Sequence, residues 1–176
     1  MEVYLVRHTE TVCQKGVCYG QADVEILEPF LAVFENIKKQ LPDDAIYYSS
    51  PLLRCKMLAN HLSSDVIIDS RLMEMNFGDW ELQKWDAIPE VDLNPWMADF
   101  VAKTVPNGES FIDLHNRVLD FLSDQLAVQA SKPIVIVAHS GVIRSILCQQ
   151  TNTPLKDAFN SKIDFGSVTQ IEFSPL

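Results

Sequence analysis

Apolar residues along the chain form two kinds of pattern. Short, nearly continuous apolar runs bounded by charged, serine or proline residues are typical of buried strands, whereas longer runs with a three-to-four-residue spacing are typical of amphipathic helices. The strand-like runs are EVYLVR (2–7), DDAIYYSS (43–50), DVIID (65–69), KPIVIVAHS (132–140) and SVTQIEFS (167–174). The helical runs are EILEPFLAVFENIKKQL (25–41), PLLRCKMLANHL (51–62), ESFIDLHNRVLDFLSDQLAVQA (109–130) and GVIRSILCQQ (141–150).

Strands and helices alternate along the chain on both sides of residues 71–106, and the sequence contains no internal repeat or linker. Continuous apolar strands separated by helices indicate an α/β fold, here a three-layer sandwich with a mostly parallel central sheet and helices on both faces. We expect residues 1–176 to form a single domain, because this length suffices for one hydrophobic core.

The segment from residue 71 to residue 106 fits neither pattern. It is irregular and rich in aspartate, proline and tryptophan, with Trp80, Trp85 and Trp96 within it. We expect this segment to form a partial cover over a binding site and a wall for the organic part of a ligand, since its aromatic rings can stack on a flat ring.

Basic and imidazole side chains follow the ends of the predicted strands. Arg7 and His8 close the first strand, Arg54 lies in the first turn of the helix after the second strand, and His139 closes the strand at 132–140. Ligands of parallel α/β sheets bind outside the carboxyl ends of the strands. We therefore expect these four side chains to converge on one edge of the sheet. Any one of them alone would be interpreted as a structural residue.

That set of residue types suits phosphoryl transfer. Arginines bind phosphate oxygens in a planar, bidentate manner, and a neutral imidazole can attack phosphorus. A carboxylic acid must then protonate the leaving oxygen. Glu74 is the candidate acid, with Asp79 and Glu81 as nearby alternatives, whereas His61 and His115 are expected to be structural or solvent-facing.

Composition narrows the classes of partner. The net charge of −10 argues against a general affinity for nucleic acid or anionic membranes, because both need a basic face. The four cysteines form no C-x-x-C pair, and neither a leader peptide nor a membrane span is expected from the sequence. We expect a cytoplasmic protein that acts on a small-molecule phosphate ester, without metal or other cofactor, and a homodimer is one assembly that the sequence leaves open.

Four motifs carry a family resemblance. LVRHTET, SSPLLRCKMLA, LMEMNFGDWE and VAHSGVIR resemble, in the same order, the motifs of the histidine phosphatase superfamily, which has the phosphoglycerate mutase-like fold. The resemblance implies a metal-independent phosphomonoesterase with a phosphohistidine intermediate. It implies that His8 is the nucleophile and Glu74 the proton donor, and that Arg7, Arg54 and His139 hold the phosphoryl group.

Shorter strings resemble one subgroup. GVCYGQADV, LMEMNFGDWE and VPNGESFIDLHNRV are similar to alpha-ribazole phosphatases of cobalamin nucleotide-loop biosynthesis. The substrate-binding residues implied are Gln14, Gly20, Gln21 and Ser140. Thr9, Gln14 and Ser140 depart from the family's usual residues.

Two alternatives stay open at this point. The first is a broad-specificity sugar-phosphate phosphatase or a mutase-type enzyme, although the sequence ends just after the last strand, without a tail to shield a phosphohistidine, which favours hydrolysis. The second is a phosphate-ester binding module without activity.

Overall fold

One mixed sheet forms the centre of the molecule. The computed structural model describes residues 1–126 and 132–174, and within these ranges five strands are hydrogen-bonded in the order β3-β2-β4-β1-β5. Their bounds are β1 Glu2–Arg7, β2 Ile46–Ser49, β3 Val66–Ile68, β4 Ile134–Ala138 and β5 Val168–Glu172. Only the edge strand β5 is antiparallel to its neighbour among these pairings. The predicted mostly parallel α/β sheet is confirmed.

Helices cover both faces of the sheet, as the three-layer architecture requires. Their bounds are α1 Leu31–Lys38, α2 Leu53–Leu62, α3 Glu90–Ala98, α4 Phe111–Leu126 and α5 Ser140–Thr151. None of the helices in the described ranges is both long and apolar enough to cross a lipid bilayer.

The two hydrophobic cores follow from the alternation of side chains along the central strands. In β4, Ile134 and Ile136 point into the core beneath α4 and α5, whereas Val135 and Val137 point into the core beneath α1 and α2. All five residues of β4 are buried. A strand covered on both faces has no polar side, which is why this run reads as continuously apolar.

The first predicted helix is shorter than its apolar pattern, and this prediction was wrong at both ends. The helix begins at Leu31 rather than near Glu25, because a residue that precedes a proline is driven out of the α region and Pro29 interrupts the segment. The apolar spacing that suggested a helix includes Ile26 and Val33, but Ile26 pairs in an isolated bridge with Thr11, and Val33 is 41% exposed.

Two other segments differ from their predictions. The irregular middle contains α3 and three short 3-10 helices at Ser70–Leu72, Gly78–Trp80 and Trp85–Ala87, and a further 3-10 helix at Leu155–Asn160 was not predicted. The fourth helix is described as far as Leu126, and residues 127–130 of its predicted range lie outside the described residues.

Candidate active site

The carboxyl ends of β1, β2 and β4 meet at one edge of the sheet. Arg7 of β1 pairs with Ala138 of β4, and the main-chain N–H of His8 donates to the Ala138 carbonyl at 3.1 Å. As a result, the rings of His8 and His139, far apart in sequence, face each other edge to face with centroids 5.1 Å apart. The structure brings the predicted histidines and arginines together at this edge.

The imidazole of His8 is held in one tautomer. Its Nδ1 lies 2.8 Å from the carbonyl oxygen of Thr9, and since a carbonyl can only accept, Nδ1 carries the proton and Nε2 keeps its lone pair. Burial, and then the positive charges of Arg54 and Arg7, hold the pKa of His8 well below 6.5. His8 is therefore neutral at pH 7, as a nucleophile must be.

Two guanidinium groups flank His8, and main-chain carbonyls hold them. Arg7 donates from one terminal nitrogen to the Ile163 carbonyl at 2.6 Å and lies 3.8 Å from the centre of the Phe165 ring. Arg54 is fully buried and donates to the carbonyls of Ala22, at 3.0 Å, and Gly20. Within the part of the chain that the structure describes, neither arginine pairs with a carboxylate.

Glu74 is the carboxylate of its segment that faces the same cleft. Its Oε2 accepts from the main-chain N–H of Gly141 at 3.1 Å and from the Ser140 hydroxyl at 3.3 Å, both in the first turn of α5. The two alternatives are engaged elsewhere: Glu81 accepts main-chain N–H groups and Asp79 accepts from the exposed Asn107 side chain. The geometry therefore favours Glu74 as the acid.

His139 lies behind His8 and does not line the cleft. It is fully buried, and its Nε2 is 2.8 Å from the Ser50 hydroxyl and 3.4 Å from the Cys55 sulfur. Burial, followed by the neighbouring His8 and Arg54, holds the pKa of His139 well below 6.5. Contact between His139 and a phosphoryl group stays a prediction.

The cleft at this edge has a volume of about 680 Å³. Arg7, His8, Arg54, Glu74 and Ser140 line it. Six aromatic residues line it as well: Tyr19, Phe77, Trp85, Phe111, Phe159 and Phe165. A cleft that combines cationic and aromatic side chains suits a phosphate ester with a flat organic group.

The middle tryptophans divide between cleft and support. Trp85 lines the cleft, whereas Trp80 and Trp96 pack behind it, with the rings of Trp85 and Trp96 stacked at 5.8 Å. The expected partial cover of the site by this segment stays a prediction.

The predicted substrate-binding residues also divide. Gln14 and Ser140 line the cleft, whereas Gly20 and Gln21 do not. The main-chain N–H groups of Gly20 and Gln21 are both bound to the Glu81 carboxylate. The geometry thus gives no support to direct substrate contact by Gly20 or Gln21.

Some cleft residues escaped the sequence analysis. Phe159 and Phe165 line the cleft and come from the segment between α5 and β5. This segment has neither strand nor helix periodicity, so the two phenylalanines themselves were the only sign in the sequence. His61 and His115 lie outside the cleft. His61 is hydrogen-bonded to Glu35 at 2.7 Å, and His115 is hydrogen-bonded to the Ser145 hydroxyl at 2.8 Å.

Known proteins share this sequence pattern and fold. The family model of the "Histidine phosphatase superfamily (branch 1)" matches residues 3–175. A protein of Hydrogenobacter thermophilus named "Putative phosphoserine phosphatase 2" is 31% identical, over 96% of this chain and 88% of its own. The adenosylcobalamin/alpha-ribazole phosphatase of Escherichia coli K12 is 26% identical, over 99% of this chain and 91% of its own.

A solved structure agrees with these relatives. The crystal structure of the alpha-ribazole phosphatase from Shigella flexneri superposes with a TM-score of 0.88 at 27% identity, over 99% of this chain and 91% of that one. The predicted family and the predicted phosphoric monoester hydrolase are both confirmed. This chain belongs to branch 1 of the histidine phosphatase superfamily.

Proposed function

We propose that the protein is a metal-independent phosphomonoesterase that works through a phosphohistidine at His8. The observation that carries this proposal is the neutral His8 ring, whose Nε2 is unprotonated and which lines the cleft together with Arg7 and Arg54. Among the residues that the structure describes, no three histidine, cysteine, aspartate or glutamate side chains cluster as metal ligands would.

In the first step, the Nε2 lone pair of His8 attacks phosphorus and the P–O ester bond breaks. Glu74, protonated, gives its proton to the leaving oxygen so that the product leaves as a neutral alcohol. Arg7 and Arg54 stabilise the charge on the phosphoryl oxygens in the transition state. The Thr9 carbonyl accepts the Nδ1–H bond of His8, which stabilises the positive ring of the phosphohistidine.

In the second step, water attacks the phosphohistidine. Glu74, now a carboxylate, takes a proton from the attacking water, and the P–N bond breaks with its electron pair returning to Nε2 of His8. Inorganic phosphate leaves, and both side chains regain their starting protonation states. The cycle therefore consumes one ester and one water without an external acid, base or metal.

The proposed substrate is alpha-ribazole 5'-phosphate, used in the cytoplasm for cobalamin nucleotide-loop assembly. The aromatic rings that line the cleft support this choice, because the flat bicyclic base of this nucleotide can stack on rings such as Trp85 and Phe159. The cleft volume of about 680 Å³ also suits a nucleotide-sized ligand. Two similar proteins are named as alpha-ribazole phosphatases, which supports the same substrate.

Phosphoserine is the second candidate substrate. Lys15 and Glu10 both line the cleft and could pair with its carboxylate and its ammonium group. The relative of Hydrogenobacter thermophilus named as a phosphoserine phosphatase supports this choice at 31% identity. Phosphoserine, however, would leave most of the aromatic surface without a partner.

The test compares wild-type protein with the His8→Ala variant on alpha-ribazole 5'-phosphate, phosphoserine and an aryl phosphate. We expect the highest kcat/KM for alpha-ribazole 5'-phosphate, unchanged by a chelator, and a loss of at least 1,000-fold in the variant. The matched control, His61→Asn, removes an imidazole outside the cleft and should retain full activity.

Other outcomes decide between the alternatives. A kcat/KM for phosphoserine above that for alpha-ribazole 5'-phosphate would reassign the substrate. Interconversion of phosphoglycerates faster than release of inorganic phosphate would favour the mutase-type enzyme. Calorimetric binding of these esters without any turnover would refute the enzymatic proposal and favour a binding module.

A further inference from the structure

We propose that Glu81 is a positioning residue for Arg54, acting through the loop formed by residues 20–22. This inference rests on the proposed function, because it assigns Arg54 to the phosphoryl group. Glu81 touches neither the cleft nor His8 in this arrangement, so its effect on the reaction must pass through the loop.

The Glu81 carboxylate gathers four main-chain N–H groups. Its Oε2 accepts from Gly20 at 2.8 Å and from Ala22 at 3.1 Å, while its Oε1 accepts from Gln21 at 2.8 Å and from Phe77 at 3.0 Å. Three of these donors are consecutive residues of the loop. The loop conformation is therefore fixed around one carboxylate that arrives from a distant part of the chain.

The other side of the same loop holds Arg54. The carbonyls of Gly20 and Ala22 accept from the two terminal nitrogens of the Arg54 guanidinium. The next loop residue, Asp23, accepts from the main-chain N–H of Leu53, the first residue of α2, at 2.7 Å. The loop thus binds both the helix that carries Arg54 and the guanidinium itself.

The loop has little room to adapt if Glu81 is altered. A Cβ atom added at Gly20 would lie 1.8 Å from the carbonyl oxygen of Met75 and 2.8 Å from the Phe77 ring. Main chain packs against main chain here, so the loop cannot move closer to the segment that carries Glu81. Loss of the carboxylate would allow movement only away from that segment, toward the guanidinium of Arg54.

The chemistry explains why a carboxylate stands at this position. Each carboxylate oxygen accepts two N–H groups, and such charge-assisted bonds are roughly twice as strong as neutral ones. An amide at residue 81 has one accepting oxygen and a donating nitrogen, so the N–H groups facing that nitrogen would lose their acceptor. The negative charge also orients the peptide dipoles of the loop, whose carbonyl ends point at Arg54.

Glu81→Gln is the sharpest test, with Asp79→Asn as the matched control. Asp79 lies two residues away, and its carboxylate pairs only with the exposed Asn107 side chain among the described contacts. For Glu81→Gln we expect kcat/KM for the aryl phosphate to fall 10- to 100-fold, mostly in kcat. The control should stay within 2-fold of the wild type.

Two further readouts separate positioning from a general loss of stability. Because the charge of Arg54 helps to hold the pKa of His8 down, displaced Arg54 should move the acid limb of the pH profile of Glu81→Gln to higher pH. The effects of Glu81→Gln and Arg54→Lys should also be strongly non-additive, so that the double variant loses little more than Arg54→Lys alone. Glu81→Asp, which keeps the charge, should recover part of the lost rate.

The outcomes distinguish this inference from the proposed function. Inactive His8→Ala together with a folded Glu81→Gln variant of wild-type rate and pH profile would overturn the role of Glu81 alone. Additive losses in the Glu81 and Arg54 variants would overturn it as well. Full activity of His8→Ala would instead overturn the proposed mechanism.

Discussion

Replacing Gly141 with alanine should separate catalysis from stability. A Cβ atom at this position would lie 2.2 Å from Oε1 of Glu74, so the carboxyl must move by about 1.2 Å to reach ordinary contact distance. Misplacing a reacting group by ~1 Å can cost about 100-fold in rate, within the contribution of about 10²–10⁴ typical of a general acid. We therefore expect Gly141→Ala to lower kcat/KM about 100-fold, or ~2.7 kcal/mol of transition-state stabilisation.

The same substitution should leave the folded state almost as stable as before. Gly141 is the second residue of α5, and alanine in a helix is favoured over glycine by ~1 kcal/mol. This gain offsets the loss of the hydrogen bond between the Gly141 N–H group and Glu74. The added Cβ displaces the end of a side chain and not the main chain, so the fold itself need not change. Urea denaturation should place the free energy of unfolding within about 1 kcal/mol of the wild type.

Steady-state hydrolysis of an aryl phosphate and of alpha-ribazole 5'-phosphate provides the assay. Glu74→Gln gives the reference for complete loss of the acid, and adding Gly141→Ala to it should reduce the rate no further, because both act on one group. Gly141→Ala with wild-type kcat/KM would refute the assignment of Glu74. A rate below that of Glu74→Gln would show that the added methyl group disturbs more than the acid.

The remaining predictions concern protonation and packing. Because the pKa of His8 is held below 6.5 and the neutral ring is the nucleophile, the acid limb of kcat/KM should lie below pH 6.5, and a limb above that value would contradict the assignment. Below pH 6.5, unfolded His8 takes up a proton that folded His8 does not, so the free energy of unfolding should decrease as the pH falls. In a series of denaturation experiments at different pH, His8→Asn should make this slope shallower by up to ~1.4 kcal/mol per pH unit. Arg117 donates to the carbonyls of Met73 and Glu74 and is paired with Glu109 at 2.9 Å. Arg117→Met should lower the free energy of unfolding by ~3 kcal/mol. Lys132→Met, which removes an exposed ion pair, should lower it by ~0.5 kcal/mol. Equal losses would refute the idea that these contacts of Arg117 stabilise the fold.

Much of the fold could be predicted from periodicity, and the exceptions have physical causes. The continuous apolar run at β4 identified a strand buried on both faces, and the helices after β2 and β4 began where predicted to within two residues. The first helix was overextended because apolar spacing continues through Pro29, although the main chain there is not helical. The direction of β5 was not predictable, since an edge strand has the same side-chain alternation whether it runs parallel or antiparallel.

The site was predictable where the sheet topology alone fixes a residue. Arg7, His8 and His139 follow directly from parallel strands whose carboxyl ends share one edge. Residue types alone left the choice among Glu74, Asp79 and Glu81 open, because it depends on hydrogen bonds to loops distant in sequence, and the family resemblance supplied the preference for Glu74. The resemblance also implied Gly20 and Gln21 as substrate-binding residues, whereas their N–H groups are bound to the Glu81 carboxylate.

The way in which the arginines are held accounts for a cationic site in a chain of net charge −10. Arg7 and Arg54 are fixed by main-chain carbonyls, whereas Arg71, near the surface, is paired with Asp69 and Asp124. A carbonyl dipole orients a guanidinium without cancelling its charge, whereas a carboxylate would compete with the phosphoryl group for the same N–H groups. In the proposed mechanism, these charges both bind the phosphoryl group and keep His8 unprotonated, so one structural choice serves binding and nucleophilicity together.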